Sequence, residues 1–128
     1  MKILGVGTDI VEILRIKNLI KNKIFVKRIF TKSEILNSKK TNSKANYFSK
    51  RFAAKEALMK AIGTGFTKGV NFKDICVVND KFGKPNIKYN NKIKKLIISR
   101  FKIKSFNLFL SLSDEKNYSI AFVIIQQN

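Results

Sequence analysis

The longest helical pattern in the chain runs from about residue 44 to Ile62, and whatever else folds must pack around it. Phe48, Phe52, Met59 and Ile62 recur at spacings of four, seven and three. At about 100° per residue those positions form one apolar stripe. Glu56 falls beside the stripe, so the spacing predicts a partly shielded carboxylate. Lys60 follows it by one turn, and Arg51 lies on the opposite flank. Gly63 is the expected stop, opening the glycine-containing stretch Gly63-Thr64-Gly65-Phe66-Thr67-Lys68-Gly69.

A second carboxylate, Asp9, ends an apolar run in Gly5-Val6-Gly7-Thr8-Asp9-Ile10-Val11-Glu12. Two acids from distant segments, with cations close by, suit a divalent metal and a phosphate-rich substrate. Alone, a Glu-Lys pair four residues apart is an ordinary surface pair worth a few tenths of a kcal/mol. The Asp9 block is what lifts Glu56 and Lys60 above that reading. Composition narrows the chemistry further, since the chain has no His, one Cys and no Trp. Zinc sites of the usual kind and Ser-His or Cys-His nucleophiles are excluded. A metal here would be held by oxygens, which favours magnesium, calcium or manganese. Cys76 cannot form an intrachain disulfide, and its apolar neighbours Ile75, Val77 and Val78 predict a small buried hydrophobe.

A length of 128 residues suggests one domain, spanning 1–128. A hydrophobic fraction of 45%, with eleven Phe, argues against disorder. The apolar runs fall short of the roughly 20 residues a membrane span needs. Met1-Lys2-Ile3-Leu4-Gly5 does not resemble a signal peptide, so the expected compartment is the cytoplasm. The formal charge of +19 has two sources. AT-biased coding raises Lys, Asn and Ile together. The remainder implies an anionic partner: an acidic protein, nucleic acid or a phosphorylated metabolite.

The rest of the chain reads as a mixture of strands and helices. Residues 2–12 form a strand whose interior glycines signal a bulge or a close approach of another group. Residues 13–30 hold one or two short helices. Thr31-Lys32-Ser33-Glu34 fits a capping box opening a further helix, and residues 39–43 form a polar loop. Strands are expected at 75–78 and 86–89, joined by a turn, then a basic helix near 91–101. A closing hairpin joins 108–113 to 118–125. The last strand is apolar on both faces, which predicts cover on both sides, by core or by a partner subunit. The fold class is therefore α+β, an antiparallel sheet packed against the long central helix.

These residues also carry a family resemblance. Gly5-x-Gly7-Thr8-Asp9-Ile10-Val11-Glu12, Arg15, Phe30-Thr31-x-Ser33-Glu34, Arg51-Phe52-Ala53-Ala54-Lys55-Glu56-Ala57-x-x-Lys60-Ala61-x-Gly63-Thr64-Gly65, Gly83-Lys84-Pro85 and Ser111-Leu112-Ser113 occur in one order over nearly the whole chain. Together they resemble the holo-[acyl-carrier-protein] synthase family, the short-type 4′-phosphopantetheinyl transferases. The resemblance implies transfer of 4′-phosphopantetheine from coenzyme A to a serine of acyl carrier protein, in support of fatty acid biosynthesis. It also implies magnesium and a homotrimer with active sites between subunits. The family's metal-ligand carboxylates fall on Asp9 and Glu56, and its motif lysine on Lys60. Glu56 and Lys60 would be catalytic, with a metal-bound water or Glu56 itself taking the serine proton. Arg51, Lys55, Lys60, Gly63 and Gly65 would serve coenzyme A. Arg15 and Arg28 would contact the carrier protein. Gly63-Thr64-Gly65 has the alternative reading of a simple helix stop.

One position departs from the family. Asp114 stands where a histidine commonly follows the Ser-x-Ser strand. An aspartate there would repel phosphate or act as an extra acceptor on the metal side. Two other functions compete with the transferase. Charge alone allows a nucleic-acid-binding module, against which stand the dispersed lysines and the lack of a recognition motif. The missing histidine allows an inactive homologue.

Overall fold

The computed structural model describes residues 1–66 and 69–128, in which eleven elements mix strands with helices. Strand β1 (Lys2–Glu12) leads directly into α1 (Ile13–Leu19) and α2 (Lys23–Ile29). Asn22 divides those two helices: its side-chain oxygen accepts the backbone N–H of Ile24 at 2.9 Å and of Phe25 at 3.3 Å, capping α2. Helix α3 (Lys32–Ser38) opens on the expected capping box. The Glu34 amide donates to Thr31 Oγ1 at 3.2 Å, and the Thr31 amide donates to Glu34 Oε1 at 2.9 Å.

Helix α4 (Lys44–Ile62) is the expected long helix, and Gly63 closes it at φ 87° in the left-handed region, its N–H donating to the Met59 carbonyl at 2.9 Å. A 3₁₀ turn at Phe72–Asp74 precedes β2 (Ile75–Asn79), β3 (Pro85–Tyr89) and α5 (Asn91–Phe101). Strands β4 (Phe106–Asp114) and β5 (Tyr118–Gln127) form the closing hairpin. Two antiparallel sheets result: β1-β5-β4, and the small β2-β3 pair. The class is α+β, as expected.

The glycines of β1 explain how α4 reaches the sheet. A methyl on Gly5 would run into the Ala61 carbonyl, and one on Gly7 into the Ala57 carbonyl. Helix and strand backbones touch there, and the facing helix positions are alanines for the same reason. Both expected features are present, since the β1–β5 register also shifts between Ile3 and Gly5. Close approach leaves no gap, and dispersion contacts depend on that.

Two expectations change. Helix α4 does not bury one stripe; Ala53, Ala54, Ala57 and Ala61 bury the side facing the sheet as completely as Phe48, Phe52, Met59 and Ile62 bury the other. The small side was missed because alanine contributes little to an apolar pattern. Strand β5 is not one of them: its own chain covers one face, and the expected cover of the other face by a partner subunit stands. Ala121, Val123 and Ile125 are fully buried under α4, whereas Ile120 and Phe122 on the other face are 42% and 41% exposed. Cys76 also differs: it is half-buried on the outward face of β2, with Sγ 3.2 Å from Thr31 Oγ1.

Candidate active site

The alternation of β1 decides where Asp9 points. Gly5, Gly7, Asp9 and Val11 share the face turned toward α4. Beyond the two glycines, the next inward side chain is a carboxylate, and it meets the helix near Glu56. Lys60 Nζ reaches across from α4 and donates to Asp9 Oδ1 at 3.0 Å. It therefore bonds to the strand rather than forming the i,i+4 surface pair with Glu56. The Asp9 side chain is only 13% exposed, and that of Lys60 is 56% exposed. The ammonium thus sits at the mouth of the site and the carboxylate at its floor.

Glu56 is half-buried, as its place beside the stripe predicted. Burial pushes its carboxyl above the usual range, the neighbouring Asp9 pushes it further, and Lys60 and Arg15 pull it back. Arg15 therefore belongs to the surroundings of this pair. Its guanidinium lies 5.7 Å from the centre of the Phe52 ring, on the exposed side of α1. Arg28 is exposed in the last turn of α2, away from any contact with the two acids.

Among the described residues, no group of three or more His, Cys, Asp and Glu gathers. The oxygens that could hold a cation here are those of Asp9 and Glu56. Two shielded carboxylates that repel one another, one of them held toward its protonated form, are stabilised by a cation between them. Magnesium suits that set, because it keeps several waters and takes one or two carboxylates.

Lys55 requires a correction. Its side chain is 0% exposed, and its ammonium donates to Glu34 Oε1 at 2.7 Å and to the Ile29 carbonyl at 2.8 Å. Glu34 Oε2 in turn accepts the Val77 amide at 2.8 Å. The pair ties α3, α4 and β2 together from inside the core. Burial pulls the Lys55 ammonium below its usual range and Glu34 pulls it back up. The lysine expected at coenzyme A phosphates is sealed away from any ligand. Sequence reading assigned Glu34 only its capping oxygen; no local pattern shows that the second oxygen reaches a strand 43 residues away.

Arg51 occupies a different setting. It is 6% exposed, stacked with its guanidinium carbon 3.6 Å from the Tyr47 ring centre, and one nitrogen donates to the Tyr47 carbonyl at 3.3 Å. Its Nε is buried without a partner. Arg51 lines a cavity of about 600 Å³ together with Lys40, Asn46, Lys50 and Asp114. Within one chain, Asp114 thus lines the Arg51 cavity rather than the Asp9–Glu56 pair. Its Oδ2 accepts from Asn46 Nδ2 at 2.8 Å and lies 3.8 Å from Lys50 Nζ. Gly63 is a helix stop by its conformation. Gly65 also has positive φ, 68°, with open space around its Cα. The expected loop continues through Thr67 and Lys68, which lie outside the described residues.

The fold and this site together define a small α+β protein with a two-carboxylate, lysine-rimmed centre on a strand–helix contact. The family model for the 4′-phosphopantetheinyl transferase superfamily matches residues 5–123, and the chain belongs to that family. Over 127 residues it is 61% identical to the holo-[acyl-carrier-protein] synthase of Pelagibacter ubique, covering 99% of each chain. The crystal structure of a holo-[acyl-carrier-protein] synthase from Neisseria meningitidis superposes with a TM-score of 0.87 at 39% identity, covering 98% of this chain and 100% of that one. A Bacillus anthracis holo-(acyl-carrier-protein) synthase, crystallised in complex with CoA (3′,5′-ADP), gives a TM-score of 0.81 at 34% identity over 98% of both chains.

Proposed function

We propose that this protein transfers the 4′-phosphopantetheine group of coenzyme A to a serine of apo-acyl carrier protein. The observation that carries the reading is the convergence of Asp9, Glu56 and Lys60 at the β1–α4 contact in a chain of this family. The serine oxygen attacks the β-phosphorus of the pyrophosphate. A new phosphodiester forms, the bond to the bridging oxygen breaks, and adenosine 3′,5′-bisphosphate leaves. The serine proton passes to Glu56, directly or through one water. Lys60, exposed and mobile on a long stem, turns from Asp9 to the charge growing on the leaving phosphate. Magnesium held by Asp9 and Glu56 would neutralise the pyrophosphate oxygens. Gly63 and Gly65 leave the backbone after α4 free of side chains where the nucleotide would approach.

The pyrophosphate belongs at the two acids, and Arg51 lines a separate cavity. Coenzyme A has one other phosphate, the ribose 3′-phosphate. The cations Lys40, Lys50 and Arg51 lining that cavity support the 3′-phosphate as its occupant. Arg15 and Arg28, on the exposed faces of α1 and α2, are the proposed contacts for the acidic carrier protein, and the +19 charge favours its approach. The outer face of the large sheet supports a homotrimer. Val6, Ile10, Phe109, Ile120 and Phe122 are all more than two-fifths exposed on neighbouring, register-paired strands. So much contiguous apolar surface calls for a partner. Among the described residues no helix is long and apolar enough to cross a membrane, and the proposed compartment is the cytoplasm.

Apo-carrier protein incubated with this protein, coenzyme A and magnesium should gain the mass of one phosphopantetheine. A chelator should abolish the gain and added magnesium restore it. An unchanged mass under all conditions sinks the proposal. Light scattering that gives a monomer at micromolar concentration sinks the trimer.

A further inference from the structure

Among the described residues, Asp114 is the one acid lining the cavity that holds Arg51. An acid in a basic cavity would ordinarily weaken anion binding. Here one of its oxygens is engaged by the cavity's own side chains. Oδ2 accepts from Asn46 Nδ2 at 2.8 Å and lies 3.8 Å from Lys50 Nζ. Asn46 is fixed from its other end as well, because Ser43 Oγ donates to Asn46 Oδ1 at 2.7 Å. The carboxylate settles the amide: it only accepts, so Nδ2 donates to Asp114 and Oδ1 is left to accept from the serine. Asn46 and Lys50 sit one turn apart on α4, and Arg51 follows in the same helix. The end of β4 thus grips one edge of α4, just where that helix presents its cations to the cavity.

The chain of contacts has a direction. Lys50 is about one-third exposed and would otherwise sample many rotamers. Ordering such a side chain before a ligand arrives removes an entropic cost from binding. Arg51 is already fixed by its stack on Tyr47 and its bond to the Tyr47 carbonyl. With Lys40 and Lys50 it makes the cavity lining predominantly cationic, which suits an anionic group.

We propose that Asp114 is a positioning residue for the phosphate monoester of the substrate: it holds Asn46 and Lys50 at the rim of the Arg51 cavity. This rests on the reading that coenzyme A is the substrate and that its 3′-phosphate enters the cavity. Asp114 does not touch the phosphate and takes no part in proton transfer.

The test is equilibrium binding by calorimetry of coenzyme A and dephospho-coenzyme A, which lacks only that phosphate. Wild type, Asp114→Asn, Asp114→Ala and Arg51→Ala are compared. The proposal expects Asp114→Ala to weaken coenzyme A by about three- to five-fold, the size of a lost half-exposed ion pair. Dephospho-coenzyme A should be unaffected. Asp114→Asn, which keeps an acceptor for Asn46 but no charge for Lys50, should fall between. In turnover the loss should appear in KM and not in kcat. Tighter coenzyme A binding by Asp114→Ala would overturn the proposal, since the acid would then merely repel. Equal weakening of both ligands would also overturn it, showing a structural role. The underlying reading fails separately. If Arg51→Ala leaves the preference for coenzyme A over dephospho-coenzyme A unchanged, the cavity does not take the phosphate, and the role of Asp114 falls with it.

Discussion

Lys55 and Glu56 are adjacent in the chain, yet α4 turns them into opposite kinds of site. Lys55 is fully enclosed, and its partner Glu34 is equally enclosed. Between them they bond to the Ile29 carbonyl, the Thr31 amide and the Val77 amide, so the buried charges are paired and their neighbours satisfied. Glu56 is half-buried beside another acid, and its carboxyl is pushed toward its protonated form. The cations facing it, Lys60 and Arg15, are on exposed surfaces where a ligand can reach them. A buried charge with a complete set of partners fixes structure. A shielded charge with an incomplete set is available for chemistry.

The contrast breaks most sharply with Glu56→Gln. Removing a proton acceptor and metal-side carboxylate should cost about 10²–10⁴-fold in transfer rate. The melting temperature should not fall, because the substitution removes a repulsion with Asp9. Full activity in that variant would end the assignment of Glu56. Lys55→Met should do the reverse. It strands Glu34 as an uncompensated buried charge, at a cost of about 3–5 kcal/mol. The melting temperature should drop by roughly 10 °C or more. Protein that remains folded should still transfer. Adding Glu34→Gln to Lys55→Met should recover part of the loss, because the two charges act as one unit. A Lys55→Met protein that melts with the wild type would show that the pair is not a structural fastener. Lys60→Ala comes next: turnover should fall by about 10–10²-fold. Stability should change by no more than about 1 kcal/mol, since the lysine side chain is mostly exposed.

This division was only half legible in the sequence. The helix, its glycine stop, the capping box and the glycines of β1 follow from local rules, and each lies where those rules put it. Asp9 and Glu56 were found because their blocks carry a family pattern and because no histidine competes for the role. Lys55 was misplaced because one residue of phase on a helix decides between core and surface. The counter-charge that lets it turn inward comes from Glu34, in another helix. The surroundings of Asp114 were not legible for a related reason. Its partners Asn46 and Lys50 lie 68 and 64 residues away, and nothing near Ser113 announces them. The outer face of β5 was apolar as read, but sequence alone could not tell cover by the same chain from cover by another.

The smallest expected effect separates the two regions by pH. The folded-state pKa of Glu56 lies above its unfolded value of about 4.5. Between those two values the folded protein binds more protons than the unfolded one, so stability falls as pH rises through that window. Above the folded pKa the penalty is complete and stays constant. In metal-free buffer, wild type should therefore lose ground to Glu56→Gln as pH is raised from 4.5, and the gap should then level off. Magnesium should narrow it at neutral pH, because a cation between Asp9 and Glu56 favours the charged form that burial disfavours. Melting curves of the two proteins across that range, with and without magnesium, read this directly. A gap that widens with falling pH would mean that Glu56 is held as a stabilised carboxylate, and its environment would then be of the same kind as that of Glu34.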